Sequence, residues 1–353
     1  MPDAIPHEAL ARAVRAAFGA RIVGAQPLFG DASSRRYVRL QLAGGGGPPT
    51  AVAMLLGADR FPLGSDEIGE RALTKDLPFV DVGRYLAARG FAVPLIHHDA
   101  SATDSLLLLE DLGDTTLWAA ASARPADARP LFAAAVELLA ALQVAGARHP
   151  DPSCLAFRRR FDGRLARWEL EHFIEHGIET RHGRGLAADE RAGLLAALDP
   201  LARPFEQGAP VLVHRDFMAW NLHVRDGRLH LIDFQDALLG PDAYDLAALL
   251  TDRTTGTLVT AALEAELIRH FVRARAAAAL PVEGDLAARY RLCALHRALK
   301  VIGRFYYLER VLGKPGYLAY LPGVYAVARR MLDALPELAS VRARLAAHVP
   351  ELG

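Results

Sequence analysis

Cysteine is almost missing from this chain: Cys154 and Cys293 are the only two in 353 residues. Two thiols cannot build a disulfide framework, and these two lack metal-ligand spacing, which fits a reducing cytoplasm. Lysine is scarce as well, with Lys75, Lys300 and Lys314 set among arginines; a GC-rich genome accounts for that bias without any arginine chemistry. Net charge is absent, 41 Lys and Arg balancing 41 Asp and Glu, so no long-range field gathers nucleic acid or an anionic membrane. No uncharged apolar stretch of roughly 18 residues occurs, so no bilayer span is expected. Met1 to Ala20 carries scattered charges in place of a continuous apolar run, so no signal peptide is expected. Internal repeats and low-complexity tails are missing too, and nothing points to an obligate protein partner. What is present, 52% hydrophobic and 23% charged residues, can bury a sizeable core in one two-lobed domain or two modest ones.

The first hundred residues read as mixed α and β. An amphipathic stretch, Ala9 to Phe18, leads into an apolar run, Ile22–Phe29, and then a cluster of turn formers, Gly30-Asp31-Ala32-Ser33-Ser34. Strands are expected at Arg36–Leu42 and Ala51–Leu56, with the Gly/Pro loop Gly44–Pro49 between them. A helix from Pro78 to Arg89 follows, then short apolar segments at Val93–Ile96 and Leu106–Leu109. Beyond Gly113 the chain turns Ala- and Leu-rich, with helical spacing over Ala126–Val144 and Phe157–Ile178. Within that helical region, Asp226-Gly227 sits between two alternating segments, a strong β-hairpin signal. From Tyr244 onward the chain is again mostly helical. These features predict an α+β fold: a small β-rich lobe over residues 1–111 and a larger helical lobe over 112–353 that contains one hairpin.

Chemistry concentrates at His214-Arg215-Asp216 through Asn221, followed twelve residues later by Asp233 in Ile232-Asp233-Phe234. Pairing across Asp226-Gly227 puts Arg225 opposite Arg228 and Asn221 near Ile232. Asn221 and Asp233 then return to the same end of the hairpin, where the loop bearing Asp216 begins. Strict alternation would not put both side chains on one face, but Asn221 ends a loop and need not obey it. An Asp, an Asn five residues on and a second Asp at a strand end form the kit for phosphoryl transfer. One carboxylate orients the acceptor hydroxyl and takes its proton, while the amide and second carboxylate hold Mg²⁺ against nucleotide phosphates. His214 and Arg215 are expected to brace the loop. Asp245, at the start of a helix, reads as a carboxylate favoured there by the helix dipole.

The His214–Asn221 segment with Asp233 resembles the kinase catalytic loop and metal-binding Asp. The wider run, Ile232 to Ala237 with Gly240-Pro241 and Tyr244-Asp245-Leu246, resembles the aminoglycoside phosphotransferase/choline kinase superfamily. Within it, the chain is most similar to the bacterial anomeric sugar kinases that phosphorylate N-acetylmuramate and N-acetylglucosamine at C1 in cell-wall recycling. Three further segments carry the narrower resemblance: Gly30–Tyr37, Leu108–Gly113, and His296–Gly303 with the later Tyr317–Pro322. The resemblance implies a protein-kinase-like two-lobed fold, a cytoplasmic enzyme, ATP and Mg²⁺ as cofactors, and a small sugar as substrate. Asp216 would be catalytic, and Asn221 and Asp233 would bind the metal. A small-residue turn can cradle an anion with its backbone N–H groups. Alone, Gly30–Ser34 would be an ordinary turn; with the catalytic loop downstream, Gly30, Asp31, Ser33 and Ser34 become the loop over the ATP phosphates. Glu110 and Leu112, at the lobe junction, would offer backbone groups to adenine.

The sequence departs from the kinase pattern at one conspicuous place. The third strand, Ala51–Leu56, has Met54 where a phosphate-binding Lys is usual, and the following helix lacks the partner Glu at its start. Arg35 and Arg36 are candidates to replace that charge, since guanidinium groups grip phosphate bidentately; the plainer reading is arginines at a strand edge in solvent. The family has a Glu/Leu/Phe-rich helix near this place, so Glu169 and Glu171 are expected to face the acceptor sugar, and Gln235, just after the metal Asp, is a further candidate to meet the substrate. His296, Arg297, Lys300 and Arg304 share helical spacing. They make either a solvated polar face or an anion site in which Arg297 and Lys300 meet a substrate carboxylate. His172-Phe173-Ile174-Glu175-His176 fits a pattern that can mark a zinc helix, but no third ligand stands out. The expected acceptor is N-acetylmuramate or N-acetylglucosamine. Alternatives are an aminoglycoside, a choline-like amine or another sugar, or a nucleotide-binding module without kinase activity.

Overall fold

The computed structural model describes residues 5–28, 35–57 and 77–353. The chain divides into two compact units, Met1–Thr115 with Arg225–Gln235, and Thr116–Val224 with Asp236–Gly353.

The first unit is built on helix α1 (His7–Phe18) and strands β1 (Arg21–Leu28), β2 (Arg36–Ala43) and β3 (Thr50–Leu55). Helix α2 (Pro78–Ala88) and strands β4 (Ile96–Ala100) and β5 (Leu106–Glu110) follow. The five strands form one antiparallel sheet in the order β1-β2-β3-β5-β4. Alternation along β2 and β3 sends Val38, Leu40, Ala51, Ala53 and Leu55 to one face, where they pack with Leu10, Ala13 and Val14 of α1. The opposite face carries Tyr37, Arg39, Val52 and Met54, and the register aligns Arg39 with Val52 and Val52 with Leu109. Met54 is wholly buried, so no cation stands at the expected lysine position. The described part of the apolar run, up to Leu28, is an edge strand: Val23 is 53% exposed, and the register shifts between Ile22 and Gly24. A bulge and Pro27 both suit an edge, where ladder donors are not all needed.

The segment Arg225–Gln235 groups with this first unit, which a single division after residue 111 does not capture. Three contacts explain the grouping. The Leu231 N–H donates to the Ala92 carbonyl at 2.8 Å. Phe234 stacks on Phe79 of α2 with ring centroids 4.8 Å apart. The Arg225 guanidinium pairs with Glu110 at 2.8 Å.

The second unit is mostly helical: α3 (Leu117–Ala123), α4 (Ala128–Arg148), α5 (Gly163–His172), α6 (Ala188–Leu198), α7 (Tyr244–Leu250), α8 (Ala261–Ala277), α9 (Leu286–Tyr306), α10 (Leu321–Asp333) and α11 (Ala339–His348). Thr116, Asp162, Thr260 and Asp285 cap α3, α5, α8 and α9, each side chain accepting a backbone N–H of the first turn. Strands β6 (Val211–Val213), β7 (Leu222–Arg225), β8 (Arg228–Leu231) and β9 (Leu238–Gly240) lie between α6 and α7. Strand β6 pairs with β9, and β7 and β8 form the expected hairpin, with Asp226 and Gly227 both at positive φ in the turn. Two helices run on in π-helical form, α5 through Phe173–Thr180 and α9 through Tyr307–Val311. The helical stretch containing α4, Pro125–Arg148, is long and apolar enough to cross a membrane. Here, however, Phe132, Ala135, Val136 and Leu139 are completely buried within the unit, so its apolar character is that of a core helix.

Candidate active site

The loop between β6 and β7 carries Asp216, and its shape is set by Asp245 in the first turn of α7. The Asp245 carboxylate accepts the N–H groups of His214 at 2.6 Å and Arg215 at 2.9 Å. That clamp holds Arg215 at φ 80, a left-handed conformation that side chains rarely adopt. Strain of this kind persists only where the surroundings over-determine it, and it gathers at functional sites. Burial pushes the Asp245 carboxyl up to about 7, against the pull of those two amide hydrogen bonds. At the far end of the loop, the Asn221 side-chain amide donates to the Asp216 carbonyl at 2.9 Å. Trp220 stacks on Trp118 with centroids 4.1 Å apart and donates its indole N–H to Thr254 at 2.9 Å.

Asp216 is about a third exposed, at 35% of its side chain. Burial works to raise its carboxyl, but Arg297, Lys300 and Arg215 outweigh that and hold it below the usual carboxylate range. It is therefore ionised at neutral pH and open to an incoming hydroxyl. Arg297 lies 3.8 Å from Asp216, donates to the Arg215 carbonyl at 3.4 Å and stands 3.5 Å from the Tyr244 hydroxyl.

The polar stripe on α9 is not a solvated face. His296 is completely buried and Arg297 nearly so, because this side of α9 packs against α5 and α7. Glu169 of α5 is the countercharge there: it binds Lys300 at 2.5 Å and Arg215 at 3.0 Å, with His296 Nδ1 at 3.8 Å. His296 Nε2 reaches the Ala166 carbonyl at 3.0 Å. Burial alone would raise the Glu169 carboxyl, yet Lys300, Arg215 and His296 together bring it down to about 2. With its charge spent in these pairs and only 1% of it exposed, Glu169 braces the loop from within and is not presented to an acceptor. Glu171 faces the other way, exposed, in a surface groove with Arg167, Leu195 and Asp199.

Asp233 and Gln235 belong to the first unit. Asp233 also has a positive φ, 61°, and its Oδ1 accepts a hydrogen bond from the Gln235 side-chain amide at 2.8 Å. Gln235 is buried, so it orients this carboxylate. Within the first unit, the Asp233 carboxylate is a hard oxygen donor of the type Mg²⁺ selects. In the sheet, Arg35 is buried and Arg36 opens β2 half-buried, so the reading of both as arginines in open solvent does not hold. Leu112 is buried, and Glu110 accepts the Leu95 N–H at 3.2 Å in addition to pairing with Arg225. Gly30, Asp31, Ser33 and Ser34 lie outside the described residues.

Sequence reasoning missed two arrangements. Arg39 is gripped by Asp111 at 2.8 and 3.0 Å and by Asp114 at 2.8 and 2.9 Å, which ties β2 to the chain just beyond β5. The Trp118–Trp220 stack, next to Asn221, was also invisible. Neither pair has a local signal, because the partners are far apart in the chain.

The sequence profile described as "Phosphotransferase enzyme family" matches residues 25–280. The chain is 34% identical over 272 residues to the N-acetylmuramate/N-acetylglucosamine kinase of Pseudomonas putida (strain KT2440), covering 75% of each chain. It is 31% identical to the protein of the same name from Caulobacter vibrioides, covering 97% of each. Among solved structures it resembles the streptomycin–ATP ternary complex of APH(2'')-IIa with a TM-score of 0.57 at 15% identity, covering 91% of this chain and 97% of that one. That last likeness concerns the fold.

Proposed function

This chain belongs to the phosphotransferase enzyme family, and from that premise we propose that it transfers the γ-phosphoryl group of ATP to the C1 hydroxyl of N-acetylmuramate or N-acetylglucosamine. The observation that carries the chemistry is the Asp216 loop: an ionised, accessible carboxylate among Arg297, Lys300 and Arg215, at the end of a strained, clamped backbone. The relatives' shared name supports this acceptor, and the Caulobacter vibrioides relative aligns over 97% of both chains.

In this reading Asp216 orients the C1 hydroxyl and takes its proton as the new O–P bond to the γ-phosphorus forms and the bond to the β,γ-bridging oxygen breaks, releasing ADP. Arg297 acts through Asp216 and the Arg215 carbonyl, fixing the loop. Asn221, whose Nδ2 is spent on the Asp216 carbonyl, would offer Oδ1 to Mg²⁺ together with the Asp233 carboxylate. Mg²⁺, when bound, supplies charge neutralisation at the nucleotide phosphates. The first unit is the nucleotide-binding part, with Glu110 and Leu112 toward the base and Arg35 and Arg36 supplying the phosphate cation that Met54 does not. The second unit carries the acceptor.

The test is a coupled ADP-release assay with Mg²⁺ and ATP, run in parallel on N-acetylmuramate, N-acetylglucosamine, glucose and kanamycin. Turnover is expected on the N-acetyl sugars. Asp216→Asn should lower kcat by about 10²–10⁴-fold, the usual size of a lost general base, with ATP affinity largely kept. Wild-type turnover in Asp216→Asn overturns the role of Asp216. Turnover confined to kanamycin or glucose overturns the acceptor, and silence on every sugar with ATP still bound favours the nucleotide-binding module.

A further inference from the structure

The His-x-x-Glu-His segment is not used by the reaction described above. In sequence it offers two histidines without an evident third ligand; in the structure the third is Glu175 itself. Among the described residues, one ligand atom each from His172, Glu175 and His176 lies within 4.8 Å of the other two. The segment spans the end of α5 and the start of its π-helical continuation, and π-helical turns recur at functional sites.

The hydrogen bonds around His176 fix which nitrogen is open. Thr180 donates its hydroxyl proton to the Glu175 carbonyl at 3.1 Å. Its oxygen, 3.0 Å from His176 Nδ1, therefore accepts from an Nδ1–H. That tautomer leaves a lone pair on Nε2, which faces the Glu175 carboxylate at 3.7 Å. A shared proton would draw such a pair to about 2.8 Å. Two ligands of one tetrahedral zinc, each about 2.0–2.1 Å from the ion, lie about 3.3 Å apart. The observed spacing is thus closer to that of two ligands on one ion than to a hydrogen bond. Metal-binding histidines are oriented in this way, by a hydrogen bond on the other ring nitrogen.

His172 is held in place as well. Trp168 stacks on its ring at 5.3 Å with an interplanar angle of 17°, Tyr307 meets it edge-on at 5.4 Å, and the His172 and His176 rings are 4.4 Å apart. Arg304, stacked over Tyr307 at 5.4 Å, places a cation beside the cluster, and the Glu175 carboxylate opposes its effect at His176.

We propose that His172, Glu175 and His176 bind one divalent cation of the zinc class, apart from the residues of phosphoryl transfer. Two imidazoles with one carboxylate select zinc, cobalt or nickel over Mg²⁺, which prefers oxygen donors.

Equilibrium dialysis of the metal-stripped full-length chain against ZnSO₄, with CoCl₂ in parallel for its visible absorption, tests this without reference to kinase activity. One ion per chain is expected. Glu175 is exposed, so Glu175→Gln keeps the fold, which a thermal melt checks; it should weaken binding at least tenfold. Thr180→Val, which removes the hydrogen bond that orients His176 together with the one to the Glu175 carbonyl, should weaken it about 10–100-fold. Asp233→Ala should retain the ion. No stoichiometric binding overturns the proposal. So does binding unchanged in both Glu175→Gln and Thr180→Val, and so does binding lost in Asp233→Ala but kept in Glu175→Gln.

Discussion

Glu169 shows how much a single buried charge organises here. It sits between Lys300 of α9 and Arg215 of the Asp216 loop, so two elements that surround Asp216 share one anion. A group whose folded pKa is depressed stabilises the fold above its unfolded value and loses that contribution as pH falls through the folded one. For Glu169 the contribution is present above its ordinary 4.5 and declines toward about 2. Removing one partner of a buried pair leaves the other uncompensated, which costs about 3–5 kcal/mol. Arg215 still pairs with Glu169, so Lys300→Met should destabilise the protein by less than that, about 1–3 kcal/mol at neutral pH. Urea unfolding of both proteins at neutral pH and again near about pH 3 checks it, because protonating Glu169 should narrow the deficit. A deficit of equal size at both pH values would mean that Lys300 acts by packing and not through Glu169.

Helix α9 is the element on which the second unit is assembled. It carries Arg297 and Lys300, and it approaches the π-helical stretch so closely that a Cβ on Gly303 would lie 2.7 Å from Phe173 Cα. That neighbour is backbone and cannot rotate away. Gly303→Ala should thus force the two segments apart and cost about 1–3 kcal/mol, the usual penalty of overpacking, read as a lowered urea midpoint. A midpoint at or above wild type would show that the contact yields. The β7–β8 hairpin was legible because Asp226-Gly227 states its own turn geometry. Helix α5 was legible in part: the periodicity over Phe157–Ile178 marks a helix, but its start at the Asp162 cap and its change to π form at Phe173 depend on what packs against it. The solvated reading of the α9 stripe failed for the same reason. Spacing of three and four puts His296, Arg297 and Lys300 on one face, yet it does not say whether that face meets water or Glu169.

For the molecule as a whole, anything that binds the folded chain and not the unfolded one stabilises it by mass action. ATP with Mg²⁺ at about 100 times its Kd should add about 2.7 kcal/mol, seen as a rise in Tm. Asp233→Ala should abolish the Mg²⁺-dependent part of that rise, and an undiminished rise in the variant would remove Asp233 from the metal site.

What the sequence by itself determined is local: the element types, the hairpin turn, the loop from His214 to Asn221 that carries Asp216, and the Met at position 54 in place of a lysine. Each of these is written in residues a few places apart, where turn chemistry and periodicity act directly. The tertiary structure alone decided which charges meet. Asp245 clamps amides 31 and 30 residues away, Glu169 pairs with Arg215 46 residues on, and Arg39 is held by Asp111 across 72 residues. Whether a charge is buried or solvated depends on packing between segments far apart in the chain, and that packing is set by the folding of the whole core.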